Sequence, residues 1–368
     1  MKTPCLVLDV ARLRRNAEKM SQMALRNGVR LRPHIKTHKS VEVARIQTAG
    51  HNGALTNSTL AEVWAFSKHG FDDFTYAVPI EPGKFAEVIE IVKSGIKINL
   101  ITDNAEIPPQ LNSAAERAGV KFDVYLKVDC GNHRCGVEPE TKEAIEIPQL
   151  IAGASNLSFA GLLTHAGHSY HATSKEEIAA IARHERDSMI ELAGRIRAAG
   201  IEVPTVSIGS TPTINHVDHL EGITEIRPGN YIFYDAFQAT LGSCEFDECA
   251  LTVLAAVVHN DRERKKVILD AGAIALSEDR GAVEIDAACG YGRILDLAGN
   301  ETGLRVESVS QEHGTVRVAS GDLLDSLKVG TRVRILANHS CLTAAQHKYY
   351  NVLENGRIVD KWEIHHGW

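Results

Sequence analysis

Near the N-terminus a lysine stands between two histidines, in the segment RPHIKTHK at 32–39. If this segment ends a strand, alternate side chains share a face, and His34, Lys36 and His38 point the same way. A lysine that faces a protein interior among other cations loses solvation, which lowers its pKa and favours the nucleophilic amine. The segment therefore predicts a nucleophile at Lys36, and the alternative is a solvated basic loop.

A histidine and a cysteine stand two residues apart near the C-terminus, in NHSC at 338–341. In a strand His339 and Cys341 would share a face. An imidazole and a thiolate suit a borderline cation, zinc above all. Two protein ligands leave coordination positions open for substrate and water, as a catalytic site requires. The alternative is a buried cysteine beside an ordinary histidine.

Two glycine turns could bind an anion. The segments are SIGSTPT at 207–213 and RPGNYIFYD at 227–235. Backbone N–H groups and hydroxyls converge on anions at such strand-to-helix turns, and phosphate sites recur after the last two strands of (β/α)8 barrels. Together the turns indicate a phosphate site.

Two further turns carry cationic side chains. VDCGNHRCG at 128–136 presents Arg134 between glycines, although a salt bridge is the commoner role for such an arginine. THAGHSYHA at 164–172 contains His165, His168 and His171, and its position after a strand favours a role facing the substrate over a plain surface loop.

These segments belong to a regular alternation of strand and helix patterns. After a first strand, TPCLVLD, and a helix, eight β-type runs follow across about 220 residues, as a (β/α)8 (TIM) barrel requires. A doubly wound sheet is the alternative, but no GxGxxG follows the first strand. The eight runs are VRLRPHIKTH, GALTN, DFTYAV, KINLIT, DVYLKVD, SFAGLLTHAG, TVSIGS and EIRPGNYIFYD.

The pattern changes at about residue 250 to strands with tight turns, which predicts a separate β domain. Asn355-Gly356 is a strong hairpin signal, and GDLLDSL is the one helix expected there. Two domains agree with a length of 368 residues.

Composition limits the partners. The formal net charge is -7, so a nucleic acid or an anionic membrane surface is not expected to bind. No apolar run is long enough to span a bilayer, and no signal peptide is recognised. The seven cysteines form no CxxC pair, so we expect free thiols in a reducing cytoplasm.

Five motifs, taken in order, resemble the D-serine dehydratase and D-threonine aldolase family, which has the alanine-racemase-like fold and uses pyridoxal 5′-phosphate (PLP). They are RPHIKTHK, VDCGNHRCG, SIGSTPT, RPGNYIFYD and NHSC. The resemblance covers the whole chain. It implies a homodimer and two domains, a PLP-binding barrel at 11–240 and a β domain of 1–10 plus 241–368 that carries the metal ligands.

The resemblance also implies roles for individual residues. Lys36 matches the lysine that holds PLP covalently, and His339 and Cys341 match the ligands of a divalent metal, with zinc expected and manganese or magnesium as alternatives. His171 matches a histidine close to the substrate. The candidates for cofactor binding are Lys36, His34, Arg134, His165, Tyr170, Gly209, Ser210, Thr211, Gly229, Asn230 and Tyr231.

The implied activity is that of a lyase on a D-3-hydroxy amino acid. Dehydration and deamination to a keto acid and ammonia are expected, because aldolases of this family often have His-x-Asp where this chain has Cys341. An aldolase reaction giving glycine and an aldehyde stays open, since His171 is present. A non-catalytic PLP carrier is the remote alternative. D-serine, D-threonine and 3-hydroxy-D-aspartate are all possible substrates, and the metal could serve its own or the partner subunit's PLP.

Overall fold

The computed structural model describes all 368 residues, which form two compact units. The barrel unit comprises Lys19–Lys36, Val43–Gly229 and His366–Trp368, and the β unit comprises Met1–Glu18, Thr37–Glu42 and Asn230–His365. No helix is both long and apolar enough to cross a membrane.

The barrel unit contains eight parallel strands, and the eight runs predicted from the sequence each contribute one of them. After β1 (Cys5–Asp9) of the β unit, the barrel strands follow as β2 (Arg30–Leu31), β3 (Leu55–Asn57), β4 (Asp73–Pro79), β5 (Lys97–Thr102), β6 (Phe122–Val128), β7 (Leu157–Thr164), β8 (Thr205–Ile208) and β9 (Glu225–Ile226).

The barrel closes between its first two strands. The hydrogen-bonded order runs from β2 through β9, β8, β7, β6, β5 and β4 to β3. A parallel bridge between His34 and Thr56 joins the ends of that series, and the N–H of Thr56 donates to the carbonyl of Pro33. Closure confirms the predicted (β/α)8 barrel and excludes the doubly wound sheet.

Helices lie between the barrel strands, and two of them begin at capping residues that the sequence predicts. Thr59 and Glu62 form the predicted capping box of one helix. At Ser174 only half of the predicted box is present, because Glu177 binds Thr173 instead. The helices of this part of the chain are α1 (Val10–Arg26), α2 (Val41–Gln47), α3 (Leu60–Ser67), α4 (Phe85–Lys93), α5 (Ile107–Ala118), α6 (Glu143–Ala152), α7 (Lys175–Ala198) and α8 (Thr211–His216).

A charged network is buried where β2 and β9 meet. Nε of Arg32 and Nε of Arg30 each lie 2.8 Å from Oε2 of Glu225. The other oxygen of Glu225 accepts from Ser207, and Arg32 also reaches Asp73 at 2.7 Å. Glu225 is fully buried, so the two arginines supply the charge it needs to remain ionised there.

The β unit is built almost entirely from antiparallel strands, with four short helices, of which α11 is the one predicted. Its elements are β1 together with α9 (Ala236–Thr240), β10 (Leu251–Asp261), β11 (Lys266–Leu269), α10 (Ala273–Leu276), β12 (Arg293–Leu295), β13 (Glu301–Val309), β14 (Gly314–Arg317), α11 (Gly321–Ser326), β15 (Arg332–Leu336), α12 (Ser340–Ala344), β16 (Tyr349–Glu354) and β17 (Arg357–Glu363).

Six of these strands form a closed ring. The order β11-β14-β13-β12-β15-β10 returns to β11, because the long β10 pairs with both β15 and β11. β1 pairs with β10 on one side and with β16 on the other, as expected of a β domain that includes the N-terminal strand. Asn355 and Gly356 both have positive φ, as a two-residue hairpin turn between β16 and β17 requires.

Candidate functional site

Lys36 does not lie on a strand, so the expected face shared by His34, Lys36 and His38 is wrong. β2 ends at Leu31, and Ile35–Thr37 form a single 3₁₀ turn. The N–H of Lys36 donates to Nδ1 of His34 at 3.3 Å, which stabilises the turn. The side chain of Lys36 is exposed rather than partly buried as expected.

His165, at the end of β7, is the candidate most affected by burial. Burial lowers the pKa of His165 well below its usual value, and the nearby cations Lys36, Lys127 and Arg134 lower it further. His165 is therefore neutral, and its Nδ1 donates to the carbonyl of Gly209 at 3.1 Å. The barrel unit thus brings Lys36, Arg134, His165 and Gly209 into one neighbourhood.

The turn SIGSTPT joins β8 to α8, as predicted. Gly209 has a φ of +134°, which suits glycine and few other residues. Ser210 caps α8, and its Oγ lies 3.0 Å from Oγ1 of Thr213 and 3.1 Å from Oγ of Ser169. Thr211 is the first residue of the helix, and Thr211 and Ser210 are both buried. These contacts hold the predicted phosphate-binding turn in one conformation.

A buried glutamate that the motifs did not indicate supports the same turn. Oε1 of Glu185 accepts hydrogen bonds from the N–H groups of Ala166 and Gly209, at 3.1 and 3.2 Å. Burial raises the pKa of Glu185. Glu185 falls on the apolar stripe of α7 with Ile178, Ala182 and Met189, and a glutamate at such a position is the sequence signal that could have identified it.

The remaining barrel candidates lie on loops at strand ends. Arg134 is exposed in the loop after β6, between Gly131 and Gly136, which both have positive φ. A Cβ at Gly136 would lie 2.6 Å from the backbone N of Asp129, so only glycine fits there. Tyr170 and His171 lie on a 3₁₀ turn after β7, and the side chain of His171 is exposed.

The segment after β9 leads from Gly229, in the barrel unit, to Asn230 and Tyr231, which are buried in the β unit. The Nδ2 group of Asn230 donates to Oδ2 of Asp235 at 2.8 Å and to Oγ of Ser340 at 3.1 Å. Because the side-chain amide of Asn230 already donates to these two partners, Asn230 could donate to a phosphate only from its main chain.

His339 and Cys341 lie at the start of a helix, so their expected position on a strand is wrong. β15 ends at Leu336, and His339 is the residue before α12. Asp235 causes the turn, since its Oδ2 accepts from both the N–H and the hydroxyl of Ser340, at 2.9 and 3.1 Å. The two candidate ligands nevertheless meet, because the first helical turn brings their side chains within hydrogen-bonding distance.

The electrostatics of this pair suit metal binding. Burial alone would raise the pKa of the Cys341 thiol, but the hydrogen bond and charge of His339 lower it, with help from Thr37, whose Oγ1 is 3.3 Å from Sγ. Burial alone would lower the pKa of His339, but Asp279 and Cys341 raise it well above its usual value. The contact between His339 and Cys341 thus raises the pKa of the imidazole and lowers that of the thiol, and thiolate is the form in which cysteine binds metals.

Asp279 is the second residue that the sequence motifs did not indicate. Its Oδ2 lies 2.5 Å from Nδ1 of His339, sixty residues away in the chain. No local pattern connects the two positions. No group of three or more His, Cys, Asp or Glu side chains is arranged as a metal site, so His339 and Cys341 stand as a two-residue pair.

Comparison with known proteins identifies the family. The model of the alanine racemase N-terminal domain matches residues 8–236. The chain belongs to this family. A second model, the putative serine dehydratase domain, matches residues 250–353. The matches confirm the resemblance seen in the motifs.

The relatives are lyases. D-threo-3-hydroxyaspartate dehydratase of Delftia sp. is 37% identical over 100% of this chain and 98% of its own length. D-serine dehydratase of Dictyostelium discoideum is 34% identical over 100% and 98%. Two 3-hydroxy-D-aspartate aldolases of Paracoccus denitrificans are each 29% identical, over 99% of this chain and 92% of their own.

A solved structure of the Delftia dehydratase superposes with a TM-score of 0.97, at 36% identity, over 100% of this chain and 98% of that one. A cysteine variant of the same enzyme was solved in a metal-free form. The predicted enzyme class, a PLP-dependent lyase, is confirmed by these relatives.

Proposed function

We propose that the protein eliminates water from a D-3-hydroxy amino acid and that the resulting enamine takes up water again on hydrolysis, so that the net products are a keto acid and ammonia. The reaction would use PLP and a divalent metal. The contact between the side chains of His339 and Cys341 carries this proposal, because two protein ligands form an open site on which a substrate oxygen can bind. The dehydratases among the relatives also have higher identities than the aldolases, 37% and 34% against 29%.

The barrel residues fit PLP. Lys36 offers an exposed amine for covalent attachment, and the neutral His165 can lie against an aromatic ring without adding charge. The phosphate would be held by Gly209, Ser210 and Thr211, which form a capped turn at a helix start. The other residues proposed to surround the cofactor are His34, Arg134, Tyr170, Gly229, Asn230 and Tyr231.

The β-unit residues fit a metal with some thiolate affinity. Thiolate and imidazole together favour zinc over magnesium and manganese, whose preferred ligands are oxygens. We therefore propose zinc as the metal of His339 and Cys341.

Each residue then has a task in the reaction. PLP supplies an electron sink for the Cα carbanion, and the metal supplies a Lewis acid for the β-hydroxyl. The amine of Lys36 takes the Cα proton. His339 and Cys341 would hold the metal, which would supply positive charge beside the departing hydroxyl. Arg134 would lie near the phenolic oxygen of PLP and offset its negative charge. The enamine released hydrolyses to the keto acid and ammonia.

Product analysis tests the reaction. The protein, loaded with PLP and zinc, is incubated separately with D-serine, D-threonine and D-threo-3-hydroxyaspartate. Keto acid and ammonia in equal amounts support dehydration. Glycine and an aldehyde as the main products would overturn it in favour of the aldolase reaction, and no product at all would leave the protein as a PLP carrier.

The aldolase reaction is the second candidate, and one observation favours it. His171 stands on an exposed turn at the end of β7, where an imidazole could take a proton from the substrate's β-oxygen so that the Cα–Cβ bond breaks. Replacing His171 with alanine separates the two reactions, because only the aldolase reaction requires that base.

The protein is further proposed to be a cytoplasmic homodimer with domain limits at 11–240 and at 1–10 plus 241–368. All seven cysteines are free thiols, which agrees with a reducing compartment. Equilibrium sedimentation tests the dimer. Limited proteolysis tests the limits, since cleavage near residues 10 and 240 would support them.

A further inference from the structure

The Asp279 carboxylate is held in a fixed position beside the candidate metal pair. Its main-chain N–H donates to Oγ of Ser277 at 3.1 Å, and its Oδ1 accepts from the N–H of Gly281 at 2.7 Å. Oδ2 points away from this turn and lies 2.5 Å from Nδ1 of His339. The loop therefore fixes one oxygen and presents the other to the imidazole.

The imidazole is held from its own side as well. Asn338, the residue before His339, donates from Nδ2 to the carbonyls of Arg280 and Gly290, at 2.9 and 2.8 Å. The side-chain amide of Asn338 thus bonds the turn that carries His339 to the carbonyl of Arg280, in the loop that carries Asp279. The contact between carboxylate and imidazole consequently has little freedom to change.

We propose that Asp279 is a positioning residue for the metal, which rests on the metal site of the proposed function. When the Nδ1–H of His339 donates to the carboxylate, the lone pair of the ring is left on Nε2. The tautomer and the ring orientation are then fixed, and the negative charge makes Nε2 a stronger ligand. Cys341, which touches the same imidazole, supplies the second ligand.

A purely structural role for this contact predicts something different. An ion pair that only stabilises the loop would affect unfolding and leave metal affinity unchanged. Asp286 offers a matched control, because it lies in the same part of the chain and pairs with Arg305 instead of His339.

The test compares zinc affinities of the PLP-loaded protein, measured by competition with a chromophoric chelator. Asp279→Ala should weaken zinc binding by about 10–100-fold. Asp279→Asn loses the charge and keeps one oxygen, which can accept from Nδ1–H if the bond from the N–H of Gly281 is given up. Its zinc affinity should therefore fall between that of Asp279→Ala and the wild type. Asp286→Asn should bind zinc as the wild type does. Cobalt-substituted Asp279→Ala should also show changed thiolate charge-transfer and d–d bands.

His339→Ala, measured in parallel, separates the two ways of being wrong. If this variant binds zinc as tightly as the wild type, the metal assignment itself fails. If it loses zinc while Asp279→Ala and Asp279→Asn both bind normally with an unaltered cobalt spectrum, the positioning role alone is overturned. Should Asp279→Ala unfold, the nearly isosteric Asp279→Asn still decides between these outcomes.

Discussion

Lys36 is the residue on which the proposed chemistry depends most, because its amine must hold the cofactor and take the Cα proton. Lys36→Ala should reduce kcat by at least ~10²–10⁴-fold, the usual contribution of a positioned acid or base. PLP should still bind through its phosphate turn. Borohydride reduction of the wild type, followed by peptide mapping, should place the cofactor on Lys36.

Lys39 provides the control, since it is the other lysine of the same motif. It has a φ of +49° and lies in the β unit. Lys39→Ala should keep both the visible absorbance of the bound cofactor and the label on Lys36. A label found on Lys39 would contradict the assignment.

Cys341 is the residue that separates this chain from the aldolase pattern. Cys341→Asp replaces a soft thiolate with a hard carboxylate, so zinc affinity should fall. We expect the product ratio to shift from keto acid towards glycine and aldehyde. Chromatography of the products measures the ratio, and Cys5→Ala, which removes a thiol from β1, should leave it unchanged. A Cys341→Asp variant that dehydrates with unaltered zinc affinity would argue against a role in metal binding.

Sequence reasoning proposed site residues that stand in motifs, and it missed residues that contact them only in the folded chain. Lys36 stands out because it lies between two histidines. His339 and Cys341 stand out because a histidine and a cysteine lie two residues apart. Asp279 has no such neighbours, and its contact with His339 exists only in the folded chain. Glu185 is different, because a glutamate on an apolar helical stripe can be recognised before the structure is known.

Among the elements, the barrel strands were predictable, but two segments that follow strands, RPHIKTHK and NHSC, were not. The eight barrel runs each gave a strand, since each has β-type residues and ends at a turn. β2 stops early because Pro33 has no N–H to donate to a sheet. NHSC forms the start of a helix because Asp235, more than a hundred residues away, accepts a hydrogen bond from the N–H of Ser340. β12, at three residues, is too short for a periodic pattern.

Ion pairs stabilise the two shortest barrel strands, and this gives a prediction for the free energy of unfolding. β2 and β9 have two residues each. Glu225 of β9 forms ion pairs with Arg30 of β2 and with Arg32, the residue after β2. Glu225→Gln leaves Arg30 without its carboxylate and Arg32 with Asp73 alone. Breaking a buried ion pair in this way costs about 3–5 kcal/mol. Urea unfolding followed by circular dichroism should show the loss.

The pH dependence of that loss follows from the pKa of Glu225. Burial alone would raise this pKa, but Arg32 and Arg30 lower it. A lowered folded-state pKa contributes stability above the ordinary glutamate pKa, and the contribution disappears as the pH falls through the folded value. The difference between Glu225→Gln and the wild type should therefore be full at neutral pH and shrink in acid. Glu221→Gln, at an exposed position nearby, should leave the free energy of unfolding unchanged both at neutral pH and in acid.

In the whole molecule the proposed chemistry is divided between the two units. The barrel unit carries Lys36, His165 and the phosphate turn, while the β unit carries His339 and Cys341. Each family model covers one of these parts. Metal binding and cofactor binding therefore depend mainly on different sets of residues and should be separable by experiment.

Removal of the metal tests that division. Hydroxide is a poor leaving group, so elimination should depend on the metal, whereas attachment of PLP to Lys36 should not. Treatment with a chelator should abolish turnover and leave the visible absorbance of the bound cofactor nearly intact. Added zinc should restore activity in the wild type but not in His339→Ala. If the metal-free protein or His339→Ala dehydrates its substrate at the full rate, His339 and Cys341 have only a structural role.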